Sequence, residues 1–279
     1  MIFPSRLLAA LLLAGPACST AAPLVVALHR GVSGAGQAEN NAAVIRRAVA
    51  EGAAIVEIDL RRTADGAIVV MHDPTVDRTT DGKGAVAAMT LSALKRLDAG
   101  GGETILTFAE ALDLVAGSGT KLLLDLKRGG GTEPETIVAT ARARRALDRL
   151  IFGVRSPSQL HAYHALAPDV PILGLVGSIG EIDGFAAAGA SAIRLWPRWI
   201  FSARSGCGAG ARPPCLVRAL QARGLTVWTT ADAPADAARA DALFRRLIAA
   251  GVDVVLTDRP RTPALIEAAS AARPSTHGP

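Results

Sequence analysis

From Pro23 onward, apolar runs of strand length alternate with segments of helical period, and this alternation restricts the chain more than any other feature. Residues 24–29 read as the first strand and 40–51 as the first helix, with Gly52 as its stop. Residues 54–60 read as the second strand. Another apolar run, 68–70, lies only a few residues beyond, across a turn at Ala64-Asp65-Gly66. A parallel crossover needs about a dozen residues or more, so 68–70 is the return arm of a hairpin. A helix is expected over 107–116, with Thr107 as N-cap and Glu110 three residues on, a capping box. Strand 122–126 and helix 133–148 follow. Five further strands, at 150–154, 172–176, 192–196, 226–229 and 252–256, are each followed by a helical segment, at 157–166, 181–188, 215–223, 234–250 and 260–272. Eight strand-then-helix units in one domain length predict a closed (β/α)8 TIM barrel, with a β-hairpin and short insertion after the second strand. A nine-stranded open sheet is the alternative.

Half of the 279 residues are hydrophobic and a fifth are charged, which allows a large core and excludes disorder by composition. The net charge of +5 is mild and dispersed. Its densest cluster, Arg142, Arg144, Arg145 and Arg149, has helical spacing and reads as a solvated helix face. No interleaving of basic and aromatic residues points to nucleic acid.

Residues 1–22 read as a secretory signal peptide, with Arg6 as the positive region, an apolar run over 7–14 and small residues before Pro23. The run is too short to span a bilayer, and no stable membrane insertion is expected. The barrel domain then occupies 23–272, with a frayed tail over 273–279. The expected location is exported, periplasmic or secreted, with lipid anchoring at Cys18 the lesser alternative. In an oxidising compartment Cys207 and Cys215, flanking a Gly-rich loop, are candidates for a disulfide, the alternative being two free thiols.

In a (β/α)8 barrel the functional rim lies at the C-terminal ends of the strands. His29-Arg30-Gly31, Glu57, Asp59, His72, Asp125, Lys127, Arg194, Trp196, Trp228-Thr229 and Thr257-Asp258 all fall there. Glu57 and Asp59 are two apart on one strand, so they share a face. A buried face does not keep two bare carboxylates without positive charge nearby. Glu57, Asp59 and Asp125 together offer oxygen-only ligands for one hard divalent cation, Ca2+ or Mg2+. The alternative is neutralisation by Arg30 and Lys127 as plain ion pairs. Metal and cations together suit a phosphate, and His29 and His72 add two groups that titrate near neutrality and suit general acid and base work.

These pieces resemble the glycerophosphodiester phosphodiesterase family. Its opening His-Arg-Gly and Glu-Asn match His29-Arg30-Gly31 and Glu39-Asn40, and its Glu-x-Asp strand matches Glu57-Ile58-Asp59. Asp65-Gly66, His72-Asp73, Arg78-Thr79-Thr80, Trp228-Thr229, and Gly251-Val252-Asp253 through Thr257-Asp258-Arg259-Pro260 complete an ordered set over nearly the whole mature chain. The resemblance implies a barrel that hydrolyses deacylated phospholipids to glycerol 3-phosphate and an alcohol. It implies His29 and His72 as acid/base residues, Glu57, Asp59 and Asp125 as metal ligands, and Arg30 and Lys127 on the phosphate. Three departures from the pattern, at four positions, stand out: Ala38 and Asn41 flank Glu39-Asn40 in place of Pro and Thr, Asp125 stands for the usual Glu, and Leu106 for a Pro before the Thr107 helix. The insertion over 74–105 is short, which predicts an open site. Trp196 and Trp228 are candidates for an aromatic pocket wall that would suit a quaternary amine, whereas Trp199 reads as packing. Two other functions fit less well: a phospholipid-directed phosphodiesterase, which needs an apolar rim, and a non-catalytic periplasmic phosphodiester-binding barrel, which has no use for two acid/base groups.

Overall fold

The computed structural model describes residues 24–32, 38–127, 129–202, 215–231 and 236–271, with side chains described to residue 268. Among the described residues the strands are β1 (Val25–Leu28), β2 (Ile55–Arg62), β3 (Ile68–Val70), β4 (Lys121–Asp125), β5 (Leu150–Val154), β6 (Ile172–Gly174), β7 (Ala192–Leu195), β8 (Thr226–Thr230) and β9 (Val254–Thr257). All except β3 pair in parallel, in the order β1-β9-β8-β7-β6-β5-β4-β2, and β1 also pairs with β2 to close the ring. This is the expected (β/α)8 barrel. β3 runs antiparallel to β2, Leu60 opposite Val70, so the hairpin reading holds.

Each strand alternates its side chains between two cores. Ala27, Ile55, Leu123, Ile151, Leu173, Ala192, Trp228, Val254 and Leu256 fill the barrel interior. The neighbouring residues, such as Val56, Leu122, Leu124 and Phe152, face outward against helical Ile45, Phe108, Leu112, Tyr163 and Phe244. Each such fully buried side chain contributes about 1.5–3 kcal/mol, so the doubly covered strands need no polar face. The layer above the interior core is polar, and that layer is the site.

Most helices are shorter than their sequence patterns, whereas Pro157–Leu166 has the expected bounds. The first is Ala42–Ala50, with the Asn41 side chain accepting from the Val44 amide. Asn41 therefore does the capping work of a Thr, and that departure is neutral for the helix. The Thr107–Glu110 capping box is present at helix Phe108–Val115. Helix Pro134–Ala143 stops well before residue 148, because Arg145 adopts a left-handed φ of 52° and the Ala146 amide donates to the Ala141 carbonyl. Of the arginine cluster, Arg142, Arg144 and Arg145 are exposed, as read, but only Arg142 lies on the helix itself. Arg149 donates to the Val115 and Ser118 carbonyls, Arg142 to the Leu166 carbonyl, and Arg144 pairs with Asp113.

The insertion after β3 has a small core of its own, Val69, Met71, Val76, Val86, Leu94, Ala99 and Ile105. It contains the short helix Leu91–Leu94, capped by Thr90, which is too short to leave a periodic signal. Helix Pro197–Ile200 escapes the sequence pattern for the same reason. Among the described residues, no helix is long and apolar enough to cross a membrane. The signal-peptide residues, Cys18 and the tail lie outside the described residues.

Candidate active site

The acidic centre follows from the register of two strands. Glu57 and Asp59 both point into the barrel from β2, and Asp59 lies directly opposite Asp125 of β4. All three are buried, and one oxygen of each lies within 4.8 Å of the others. Asp59 accepts from Asn40 Nδ2 at 2.9 Å and pairs with Lys127 Nζ at 2.8 Å, with Arg30 Nε at 3.6 Å. Asp125 receives Lys127 Nζ at 3.0 Å and the Arg155 guanidinium at 2.6–3.1 Å. Burial opposes ionisation of Asp125, yet Lys127 and Arg155 hold its carboxyl below the usual range.

Glu57 is different. Its Oε2 accepts the Arg30 backbone amide at 2.8 Å, but among the described residues no Lys or Arg side chain pairs with it. Burial, reinforced by the charge of Asp59, pushes its carboxyl up to about 8. A carboxylate so short of positive charge, beside two others, is what a hard cation would satisfy. The chain's own cations thus neutralise Asp59 and Asp125 but leave Glu57, so the plain ion-pair alternative covers two acids of three. The oxygen-only donor set fits Ca2+ or Mg2+.

Two imidazoles follow strands that pair with β2, the strand of Glu57 and Asp59. His29 opens a tight turn, His29–Gly31, in which Arg30 is left-handed at φ 53°. That conformation aims the Arg30 amide at Glu57. Gly31 follows at φ 72°, and a Cβ there would come within 2.9 Å of Val44 Cγ2, so only glycine allows the turn to lie against the first helix. His29 Nδ1 lies 2.7 Å from Asp258 Oδ1, just after β9. Burial pulls this imidazole down, but the Asp258 hydrogen bond and the charges of Glu57 and Asp258 outweigh it, and the net shift is upward. His72 is carried back to the rim by β3, and its Nδ1 lies 2.6 Å from Asp73 Oδ1. With each aspartate accepting, Nδ1–H donates and Nε2 is left for chemistry.

A chain of ion pairs ties the two halves. Arg30 Nη1 donates to both Glu39 oxygens, Arg78 donates to Glu39 and also to Asp73, and Arg61 donates to the His72 carbonyl. Arg78 and the His72–Asp73 contacts hold the Asp73 carboxyl far below the carboxylate range, the Arg78 hydrogen bond being the largest cause. The structure therefore gathers Glu57, Asp59, Asp125, Arg30 and Lys127 at the mouth, and the ion-pair chain links His72 to that cluster. It also adds partners that the sequence patterns leave without a role: Asn40, Glu39, Arg61, Arg78, Asp258 and Arg155. Arg155 had a signal, since it directly follows the fourth barrel strand.

The two tryptophans are placed less openly than expected. Trp228 is 4% exposed and belongs to the barrel-interior core. Trp196 carries the Arg194 guanidinium 4.0 Å from its ring centroid and Arg198 at 5.4 Å. Trp199 packs on the outer core. Cys215, at the start of helix Cys215–Gln221, is disulfide-bonded; Cys207, the partner expected from sequence, lies outside the described residues.

Residues 29–262 match the model of the glycerophosphoryl diester phosphodiesterase family. A glycerophosphodiester phosphodiesterase of Caldanaerobacter subterraneus is 32% identical over 251 residues, covering 86% of this chain and 95% of that protein. The crystal structure of a glycerophosphodiester phosphodiesterase from Agrobacterium tumefaciens superimposes with a TM-score of 0.70 at 25% identity, over 86% of this chain and 99% of the other. A phosphodiesterase from Oleispira antarctica, solved with its product sn-glycerol-3-phosphate, superimposes with a TM-score of 0.67 at 27% identity, over 89% and 97%. A match of this extent, on a barrel whose mouth holds clustered acids, cations and two aspartate-bonded imidazoles, makes the chain a member of the glycerophosphoryl diester phosphodiesterase family, an enzyme that hydrolyses phosphoric diesters.

Proposed function

We propose that this enzyme, exported from the cytoplasm, hydrolyses soluble glycerophosphodiesters to sn-glycerol 3-phosphate and an alcohol, with one divalent cation held by Glu57, Asp59 and Asp125. Such a cation supplies Lewis-acid stabilisation of the phosphoryl oxygens. The chain's residues do the rest. Lys127 and Arg30 stand beside the acids to attract the phosphate. One imidazole takes the proton of the attacking oxygen, from water or from the glycerol 2-hydroxyl, as that oxygen bonds to phosphorus; the P–O bond to the alcohol breaks, and the other imidazole protonates the departing alkoxide. Where the glycerol hydroxyl attacks, water then opens the cyclic phosphate to glycerol 3-phosphate. Asp258 and Asp73 fix the tautomers that leave Nε2 of each ring available. The observation that carries this reading is Glu57: a buried carboxyl pushed up to about 8, without a Lys or Arg partner among the described residues, next to two other carboxylates.

The alcohol arm is best accommodated beside Lys127. A cleft of about 890 Å3 opens there, in which Lys127, Thr132, Glu133, Ser156, Ser158 and Gln159 offer polar groups beside Gly129, Gly131 and Pro134. Hydroxyls and a carboxylate favour a head group with hydroxyl or amine donors over an acyl chain. The cation–π wall proposed for Trp196 and Trp228 finds less support, because Arg194 already covers one ring and the core buries the other.

The deciding experiment is release of glycerol 3-phosphate from glycerophosphoethanolamine and glycerophosphoglycerol by the purified enzyme supplied with Ca2+ or Mg2+. Release from diacyl phospholipid vesicles but not from the soluble diesters would favour the phospholipid-directed reading. Tight binding of the diesters without turnover would favour a non-catalytic barrel.

A further inference from the structure

We propose that Arg155 is a third phosphate-binding cation, parked on Asp125 until a divalent ion takes that carboxylate. The proposal rests on the reading that the three acids hold such an ion.

The geometry begins with Gly153. It lies opposite Asp125 in the β4–β5 register, and a Cβ there would come within 2.9 Å of the Leu124 carbonyl oxygen. With no side chain at that level, Arg155, two residues on and on the same face, reaches across to Asp125. Its Nε and Nη2 contact Oδ1 at 3.1 and 2.8 Å, and Nη2 reaches Oδ2 at 2.6 Å. The root of this arm is fixed. The Arg155 amide donates to Gln159 Oε1 at 2.8 Å, and Gln159 Nε2 donates to the Leu126 carbonyl at 3.0 Å. Any movement of Arg155 is therefore one of the side chain beyond its backbone.

Charge then argues for the exchange. Three cations, Arg30, Lys127 and Arg155, already crowd Asp59 and Asp125, whereas none among the described residues pairs with Glu57, so an ion drawn by the acids would arrive beside them. A divalent ion on Asp125 adds two positive charges beside Arg155 and weakens the hold of Asp125 on the guanidinium. Of the three cations Arg155 is the most exposed, at 33% of its side chain against 16% for Lys127 and 19% for Arg30. It is also a planar fork that binds phosphate as readily as carboxylate. The ion that loosens Arg155 also attracts the phosphate, so the two events are coupled. The shorter Asp at position 125 keeps the carboxylate low in the mouth, within reach of this arm.

The test is calorimetric and needs no turnover. Full-length protein stripped of metal is titrated with Ca2+ and Mg2+, and the metal-loaded protein with glycerol 3-phosphate, for wild type, Arg155→Gln and Arg155→Lys. Arg155→Gln is expected to bind the ion at least as tightly as wild type, yet to bind glycerol 3-phosphate at least tenfold more weakly once loaded. Arg155→Lys, a point charge without the fork, should recover part of that loss. Weakened metal binding with unchanged glycerol 3-phosphate affinity would make Arg155 a brace for Asp125 and overturn the exchange, as would no change in either. If wild type binds neither divalent ion, the metal reading itself falls and takes this proposal with it.

Discussion

The two histidine–aspartate pairs are alike in chemistry and opposite in construction. His72 and Asp73 are neighbours in the chain, and Arg78, five residues from Asp73, locks that carboxylate in place. His29 and Asp258 are 229 residues apart and meet only because β1 pairs with β9 when the barrel closes. The local pair is held by an insertion with its own small core, and the distant pair by the barrel itself. His29 also sits within the field of Glu57, which contributes to raising its pKa. Partial loss of the insertion would thus loosen one imidazole and spare the other, whereas opening the barrel would separate His29 from Asp258.

The comparison can be broken in stages. The largest effect should come from chelation, which removes what both pairs act upon. Diester hydrolysis is expected to fall on the order of 1000-fold, the equivalent of several kcal/mol, and to return with added Ca2+ or Mg2+. Undiminished turnover after chelation would remove the cation from the reaction. Next, His29→Ala and His72→Ala should each lower kcat by about 100-fold or more, roughly 2.7 kcal/mol of transition-state stabilisation. A folded variant of either with wild-type kcat would end the symmetry between them.

A smaller effect sharpens the difference. Asp258→Asn removes the carboxylate charge that raises His29 and weakens the hydrogen bond to an uncharged one, leaving burial, which lowers the imidazole, opposed mainly by Glu57. Whichever limb of the pH–rate profile His29 sets, that limb should move to lower pH, as kcat/KM measured from pH 5 to 9 would show. A limb that stays in place would separate His29 from the rate profile. The smallest effect concerns stability. Asp73 has its folded pKa depressed, so its contribution is present above the unfolded value of about 3.9 and is lost as pH falls below it. Asp73→Asn should therefore show a Tm that declines less steeply than wild type between about pH 5 and 2, by a few degrees at most. An equally steep decline would mean that Arg78 gains nothing from Asp73 beyond what Glu39 already supplies.

How legible this was depended on the range of each interaction. The acidic strand was readable because period-two spacing puts Glu57 and Asp59 on one face whatever surrounds them. The capping box at Thr107 was readable because its partners lie three residues apart. Glu39 and Arg78 could be read as motif members but not as partners of one another, since nothing in 39 residues of separation marks the contact. The helix over 133–148 was overextended because Arg145 takes a left-handed conformation usually left to glycine or asparagine. The basic cluster is solvated at Arg142, Arg144 and Arg145; that Arg142 and Arg149 also donate to the Leu166, Val115 and Ser118 carbonyls was not legible, because those groups lie 24 to 34 residues away.

Strand-and-helix alternation determined a parallel sheet covered on both faces, and the count of eight units favoured a barrel over an open sheet; the pairing of β1 with β2 is what closes it. The sequence also determined which acids and imidazoles stand at the rim, because position at a strand end is a local property. Tertiary structure alone decided who neutralises whom: that Glu57 is left short of positive charge, that Arg155 sits on Asp125, and that Trp228 is buried. Those outcomes depend on register between strands distant in the chain, where a shift of one residue would turn every side chain to the other face.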